Sequence, residues 1–169
     1  MLASRHRRFA VCMMSFAQRR KTMTANTLAY ENLIKHTKEM AALGSTISLL
    51  HWDQEVKMPP KGIEYRADQI AFTSKLLHEL KTNPKVNDWI QACEEDNDLM
   101  SDPLKSEFVN VRELRRSYDR STKLPASLVE EEAMLASRGQ SAWAEARKNN
   151  DFKLFEPWLE KIVDLLQKK

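Results

Sequence analysis

The stretch His51–Gly62, HWDQEVKMPPKG, decides how the chain is organised. Pro59 and Pro60 cannot lie inside a helix, because proline lacks a backbone N–H donor and its ring clashes with the preceding turn. The stretch therefore predicts a stiff break between two helical segments. The four residues from Trp52 to Glu55 then lie where the first helix ends.

Apolar residues recur at helical spacing on both sides of this break and through the rest of the chain. Asn83-Pro84 and Asp102-Pro103 each combine a capping side chain with a proline, which predicts the start of a helix. No segment alternates apolar and polar residues with the period of two that a half-buried strand requires. We therefore predict an all-α fold of about six helices, packed as antiparallel helical hairpins. The predicted helices begin near Asn26, Ile63, Asn83, Asp102, Lys123 and Pro157.

Residues 1–22 differ in composition from the rest. They hold six of the 27 Lys and Arg residues and no Asp or Glu, around an apolar run from Phe9 to Phe16. This composition is typical of a mitochondrial targeting segment, and a true start at Met23 is the alternative. We divide the chain into a basic tail, residues 1–22, and a helical region, residues 23–169. The expected location is the cytoplasm, or the mitochondrion if the tail is a targeting segment.

The charge of the helical region does not suit a nucleic-acid partner. It carries 21 basic residues against 24 acidic ones, so the net charge of +3 comes from the tail. A mildly acidic body does not favour nucleic acid, and no apolar run approaches the ~20 residues that span a bilayer. Cys12 and Cys93 are far apart, which indicates a reducing compartment. We expect neither nucleic acid nor a membrane as partner.

The four histidines are the first candidates for metal ligands. The zinc motif HExxH places two His one helical turn apart. His78-Glu79 begins this pattern, but Thr82 stands where the second His is needed, so His78 is interpreted as a surface residue of the second helix. The acidic segment Glu94–Asp98 lacks the alternating ligands and the glycine of an EF-hand loop and is interpreted as solvated. We expect no metal or other cofactor bound by this chain.

Two further patterns leave alternatives. Four arginines form a basic stripe: Arg112, Arg115, Arg116 and Arg120. The stripe could bind RNA or an acidic partner, but Glu113 and Asp119 interleave with it, which favours a solvated or salt-bridged face. Trp52 and the acids beside it either anchor the core or form the wall of a cleft, and both interpretations stay open.

Three segments, in this order, carry a resemblance to a known family. They are LLHWDQEVKMPPKGIEYRADQIA (Leu49–Ala71), VRELRRSYDRSTKLPASLV (Val111–Val129) and WAEARKNNDFKLFEPWLEKIVDL (Trp143–Leu165). Together they resemble the opening part of the thermostable Taq-type carboxypeptidases, which are HExxH zinc metallopeptidases. The resemblance covers roughly residues 28–169.

The resemblance implies an almost wholly helical enzyme, often dimeric, that releases C-terminal amino acids from peptides. In the family, zinc or another divalent metal is bound by the two His of HExxH and a later Glu, all downstream of the opening helices. No position of this sequence matches those motifs, so no catalytic or metal-binding residue is assigned. The resemblance places Trp52, Asp53 and Gln54 at the border of the substrate groove.

The resulting expectation is the N-terminal portion of a metallocarboxypeptidase, present as a truncated or split gene product. The last apolar stripe runs into Lys168-Lys169 without a stop signal. Alone, the chain is expected to be inactive; it would act on peptides only when a C-terminal catalytic portion completes it. A complementing chain or a second copy would be its partner. The alternatives are a stand-alone helical interaction module and a degenerate remnant.

Overall fold

In the computed structural model of the protein, residues 25–168 are described, and they contain six α-helices, two short 3₁₀ turns and no strand. The all-α prediction is confirmed. The basic tail, residues 1–22, lies outside the described residues. The helices are α1 (Ala25–Val56), α2 (Ile63–Lys81), α3 (Pro84–Glu94), α4 (Ser106–Ser121), α5 (Ala126–Asn149) and α6 (Glu156–Gln167), and the 3₁₀ turns are Pro60–Gly62 and Phe152–Leu154.

The predicted break between the first two helices is confirmed at Pro59-Pro60. The backbone of Pro59 is extended, at φ −66° and ψ 147°. The carbonyl of Asp53 accepts the N–H groups of both Lys57 and Met58, at 2.9 and 2.8 Å, and this closes the last turn of α1. The apolar pattern predicted that the first helix ends near Trp52, but α1 continues for one more turn, to Val56. Nothing before the two prolines prevents the helix from continuing.

One of the two predicted proline starts is correct. The Asn83 side chain accepts the N–H of Lys85 at 3.0 Å, and Pro84 is the first residue of α3. The start at Asp102-Pro103 is wrong, since α4 begins at Ser106. Asp102 caps an isolated turn instead, because Leu104 is 93% exposed and no packing extends that turn into a helix.

The helices pack as hairpins around α1, α2 and α5. Helix α2 packs against α1 and α5, α1 also packs against α3, and α6 returns along α5. Asn150, in the left-handed conformation at φ 51°, ends α5 and allows this return. The best buried cluster joins α1, α3 and α4 and consists of Ala29, Leu33, Val86, Ile90, Cys93 and Val111.

Two buried histidines connect distant parts of the backbone. His36 Nε2 lies 2.9 Å from the carbonyl oxygen of Leu80, and His78 Nε2 lies 2.8 Å from that of Leu124. A carbonyl only accepts, so both Nε2 atoms donate. The prediction that His78 is a surface residue is wrong, because the segment before α5 folds over it and leaves it 7% exposed.

No helix among residues 25–168 is long and apolar enough to cross a bilayer.

Candidate functional site

The end of α1 is held to α2 by one guanidinium group. Arg66 Nη2 donates to Asp53 Oδ2 at 2.6 Å, and Nη1 donates to the carbonyl of Leu50 at 2.7 Å. Arg66 Nε donates to Gln69 Oε1 at 3.0 Å, on its own helix. The planar fork of arginine suits several such bonds in fixed directions. Asp53 is therefore held in place, although a third of its side chain stays exposed.

Gln54, the next residue, is buried against α5. Its Nε2 donates to the carbonyl of Ser137 at 3.1 Å, and Ser137 Oγ donates to Gln54 Oε1 at 2.6 Å. Ser137 is fully buried. One turn along α5, Gln140 Nε2 donates to Glu55 Oε1 at 2.6 Å. These bonds attach the end of α1 to α5, as those of Arg66 attach it to α2.

The Trp52 side chain is 52% exposed. The interpretation of Trp52 as a core anchor is therefore wrong. It belongs to a stripe of exposed apolar residues on α1, and α2 carries a second stripe of the same kind. We call the two stripes together the α1–α2 apolar surface; it comprises Leu49, Trp52, Val56, Tyr65, Phe72 and Leu76.

A polar network lies next to both stripes. Asp53 follows Leu49 by four residues, so the two share a side of α1. Gln69 follows Tyr65 by four residues on α2 in the same way. Arg66 bonds both Asp53 and Gln69, which places this polar network between the stripes. The surface thus combines exposed aromatic side chains with a rigid polar centre.

The sequence named Trp52, Asp53 and Gln54 as one set, and the structure separates them. Asp53 and Trp52 belong to the exposed surface, whereas Gln54 is buried behind it. Sequence reasoning missed Arg66 and Ser137. The pairing of Arg66 with Asp53 could have been predicted, because both are equally far from the Pro59-Pro60 junction and a hairpin folded there brings them together. Nothing in the sequence indicated that Ser137 would meet Gln54.

The basic stripe of α4 is largely paired, as predicted. Arg115 Nε and Nη2 donate to the two carboxylate oxygens of Glu94 at 3.0 and 2.8 Å, and this hydrogen bonding raises the pKa of Arg115. Arg112 Nη2 lies 2.9 Å from Glu113 Oε1, and Arg116 Nη1 lies 4.0 Å from Glu113 Oε2. Such pairs favour a salt-bridged face over a nucleic-acid surface.

The described residues do not fit a metal centre. Within residues 25–168, no three His, Cys, Asp or Glu side chains converge as ligands. His36 and His78 each use Nε2 on a backbone carbonyl. Burial raises the pKa of the Cys93 thiol to about 11, so it stays protonated at neutral pH and is neither a ligand nor a nucleophile.

Residues 32–169 match the family model for the Carboxypeptidase Taq (M32) metallopeptidase. The chain belongs to this family. It is 39% identical over 141 residues to thermostable carboxypeptidase 1 of Thermus thermophilus, which covers 83% of this chain and 28% of that protein. The match lies in the N-terminal portion of the M32 relatives.

Solved structures agree with this assignment. The crystal structure of BsuCP superposes with a TM-score of 0.75 at 25% identity and covers 82% of this chain and 27% of that one. Metallocarboxypeptidase 1 of Trypanosoma cruzi gives 0.59 at 27% identity and covers 83% of this chain and 27% of that one. The chain thus spans little more than a quarter of the length of the M32 proteins that it matches.

Proposed function

We propose that this chain supplies the N-terminal helical part of an M32 carboxypeptidase, which releases C-terminal amino acids from peptides, and that the α1–α2 apolar surface borders the peptide groove. The observation that carries the proposal is the half-exposed Trp52 beside the rigid pair of Asp53 and Arg66. Contiguous exposed apolar side chains on a folded protein mark an interaction site, whereas single scattered ones do not.

The surface suits an extended peptide. Trp52, Tyr65 and Phe72 offer apolar faces for peptide side chains. The exposed part of the Asp53 carboxylate accepts a hydrogen bond from a peptide N–H, and the hydrogen bond from Arg66 orients that carboxylate. Gln54 acts from behind as a positioning residue, because its bonds to Ser137 set where α1 ends.

We further propose that residues 1–169 do not hydrolyse peptides alone. The sequence contains no HExxH, and the described side chains do not converge on a metal. The divalent metal of the family, zinc or another, would be held by polypeptide that these residues do not include. The partner that completes the site is a catalytic portion, in the same chain or in a complementing one.

A chimera tests the proposed function. The matching N-terminal segment of the Thermus carboxypeptidase is replaced by residues 28–169 of this chain, and release of the C-terminal amino acid from a peptide is measured. We expect the chimera to be active and residues 1–169 with added zinc to release nothing. Turnover by residues 1–169 alone would contradict the second proposal, and a folded but inactive chimera would contradict the first.

The groove border is tested in the same chimera. Trp52→Ala should raise KM several-fold, because it removes a half-exposed aromatic side chain from the proposed border of the groove. Leu104→Ala is the matched control, since Leu104 is exposed but far along the chain from the surface. Equal KM values for the two variants would favour the alternative, in which the α1–α2 apolar surface belongs to a stand-alone interaction module.

A further inference from the structure

Helix α6 carries two apolar stripes, and only one of them is covered. The inner stripe packs on α5: Leu165 is 3% exposed, and a Cβ atom added to Gly139 would lie 3.0 Å from Ile162 Cδ1. The second stripe lies beside it on the same helix. We call it the outer stripe; it consists of Leu159, Val163 and Leu166, which are 38, 44 and 53% exposed.

The spacing of the outer stripe is that of a helix-packing seam. Its residues follow each other by four and three positions, so they line one side of α6. The apolar side of α6 is therefore wider than its contact with α5, because the outer stripe lies beside the inner one and Asp164 marks the polar side. Apolar residues at this spacing are what a second helix packs against.

The edge of the outer stripe is acidic. Glu156 precedes Leu159 by three residues and Glu160 precedes Val163 by three, so the two carboxylates flank the stripe along one side. Both glutamates are exposed. A partner helix with Lys or Arg along its matching edge would complement this charge.

The lengths of the relatives indicate where such a helix comes from. The family match includes all of α6 and extends to residue 169. The Thermus relative is matched over only 28% of its length, so more than two thirds of that protein lies outside the matched segment. That remainder has to pack against these N-terminal helices, and the outer stripe is an apolar face with no described neighbour on it.

We propose that the outer stripe of α6 is the docking surface for an amphipathic helix, basic along one edge, from the part of an M32 carboxypeptidase that follows the matched segment. This inference rests on the proposed function. It assigns Leu159, Val163 and Leu166 to an interface inside the complete enzyme, and Glu156 and Glu160 to its rim.

The test compares one substitution in two contexts. Val163→Glu should leave the melting temperature of the 169-residue chain nearly unchanged, because the side chain is exposed there. In the Thermus chimera the same substitution buries a charge, and we expect the melting temperature to fall by about 5 °C or more. Asp164→Asn, on the exposed polar side of α6, should change neither protein, and Ile162→Glu, on the inner stripe, should destabilise both.

The outcomes separate this inference from the proposed function. Equal shifts for Val163→Glu in the two proteins would overturn the interface, even in an active chimera. A folded chimera without activity would overturn the proposed function, while its melting temperatures would still test the interface. Sedimentation provides a further readout: a dimer of the 169-residue chain that Val163→Glu dissociates would identify a second copy as the occupant and overturn the proposal.

Discussion

Asp53 and Arg66 face each other across the Pro59-Pro60 junction, with 2.6 Å between Oδ2 and Nη2. Each is equally far along the chain from the centre of that junction, so the pair closes the hairpin at a register that the prolines define. The same guanidinium also binds the carbonyl of Leu50 and the side chain of Gln69. One residue of α2 therefore orders the last two turns of α1.

This arrangement predicts that Arg66→Ala lowers the free energy of unfolding by about 2 kcal/mol, because it removes charge-assisted and backbone hydrogen bonds together. Arg66→Lys keeps the charge but not the planar fork, and should recover less than half of the loss. Urea unfolding of the 169-residue chain measures both. If Arg66→Ala were as stable as the wild type, the network would not order the end of α1.

The buried pair of Gln54 and Ser137 predicts energetic coupling between α1 and α5. Gln54→Leu should cost about 2 kcal/mol, because it leaves the Ser137 hydroxyl without its acceptor in a buried site. Ser137→Ala in the same background should then cost little more. A double-mutant cycle measured by denaturant unfolding checks this, and strictly additive losses would contradict the reciprocal bonding.

Two helical glycines differ in how much space surrounds an added methyl group. Gly44, in α1, has its nearest neighbour 3.9 Å from an added Cβ, so Gly44→Ala should raise stability by about 1 kcal/mol through helix propensity. Gly139, in α5, has Ile162 Cδ1 at 3.0 Å. Gly139→Ala must displace that side chain and should gain less or lose stability. Equal gains in thermal unfolding would mean that α6 does not pack closely on α5.

We expect the buried Cys93 thiol to make the folded protein less stable at alkaline pH. Burial holds its pKa at about 11, above its ordinary value of 9.0. The folded state therefore retains the thiol proton more strongly than the unfolded state does. The associated stability is fully present below pH 9 and is lost as the pH rises through about 11.

Comparison with Cys93→Ala isolates this contribution. The substitution removes the thiol and leaves the other alkaline titrations in place, so the variant should lose less stability between pH 8.5 and 10.5 than the wild type, by on the order of 1 kcal/mol. Urea unfolding at the two pH values measures the difference. Parallel pH profiles would show that the thiol ionises equally easily in both states.

Much of the architecture was predictable because its causes are local. The break at Pro59-Pro60, the cap at Asn83 and the end of α5 at Asn150 follow from backbone constraints of single residues. The start at Asp102 was not predictable in this way. Its cap exists, but whether a capped turn grows into a helix depends on packing further along the chain.

The candidate site was also predictable only in part. Trp52 and Asp53 were placed correctly at the end of a helix beside a rigid turn, but their exposure was not determined by the pattern. Gln54 looked equivalent to its neighbours, and only the position of α5 made it a buried residue. His78 was misjudged for the same reason, since the carbonyl of Leu124 that buries it is remote in sequence.

By itself the sequence determined that this protein is helical, where its first hairpin turns, and which family it resembles. These properties depend on propensity, proline geometry and short motifs, which act over a few residues. The tertiary structure alone decided that Gln54 meets Ser137, that Arg66 bonds Asp53 next to two exposed apolar stripes, and that α6 keeps a second stripe uncovered. Helical periodicity defines the faces of a helix, but it does not specify which other helix each face will meet.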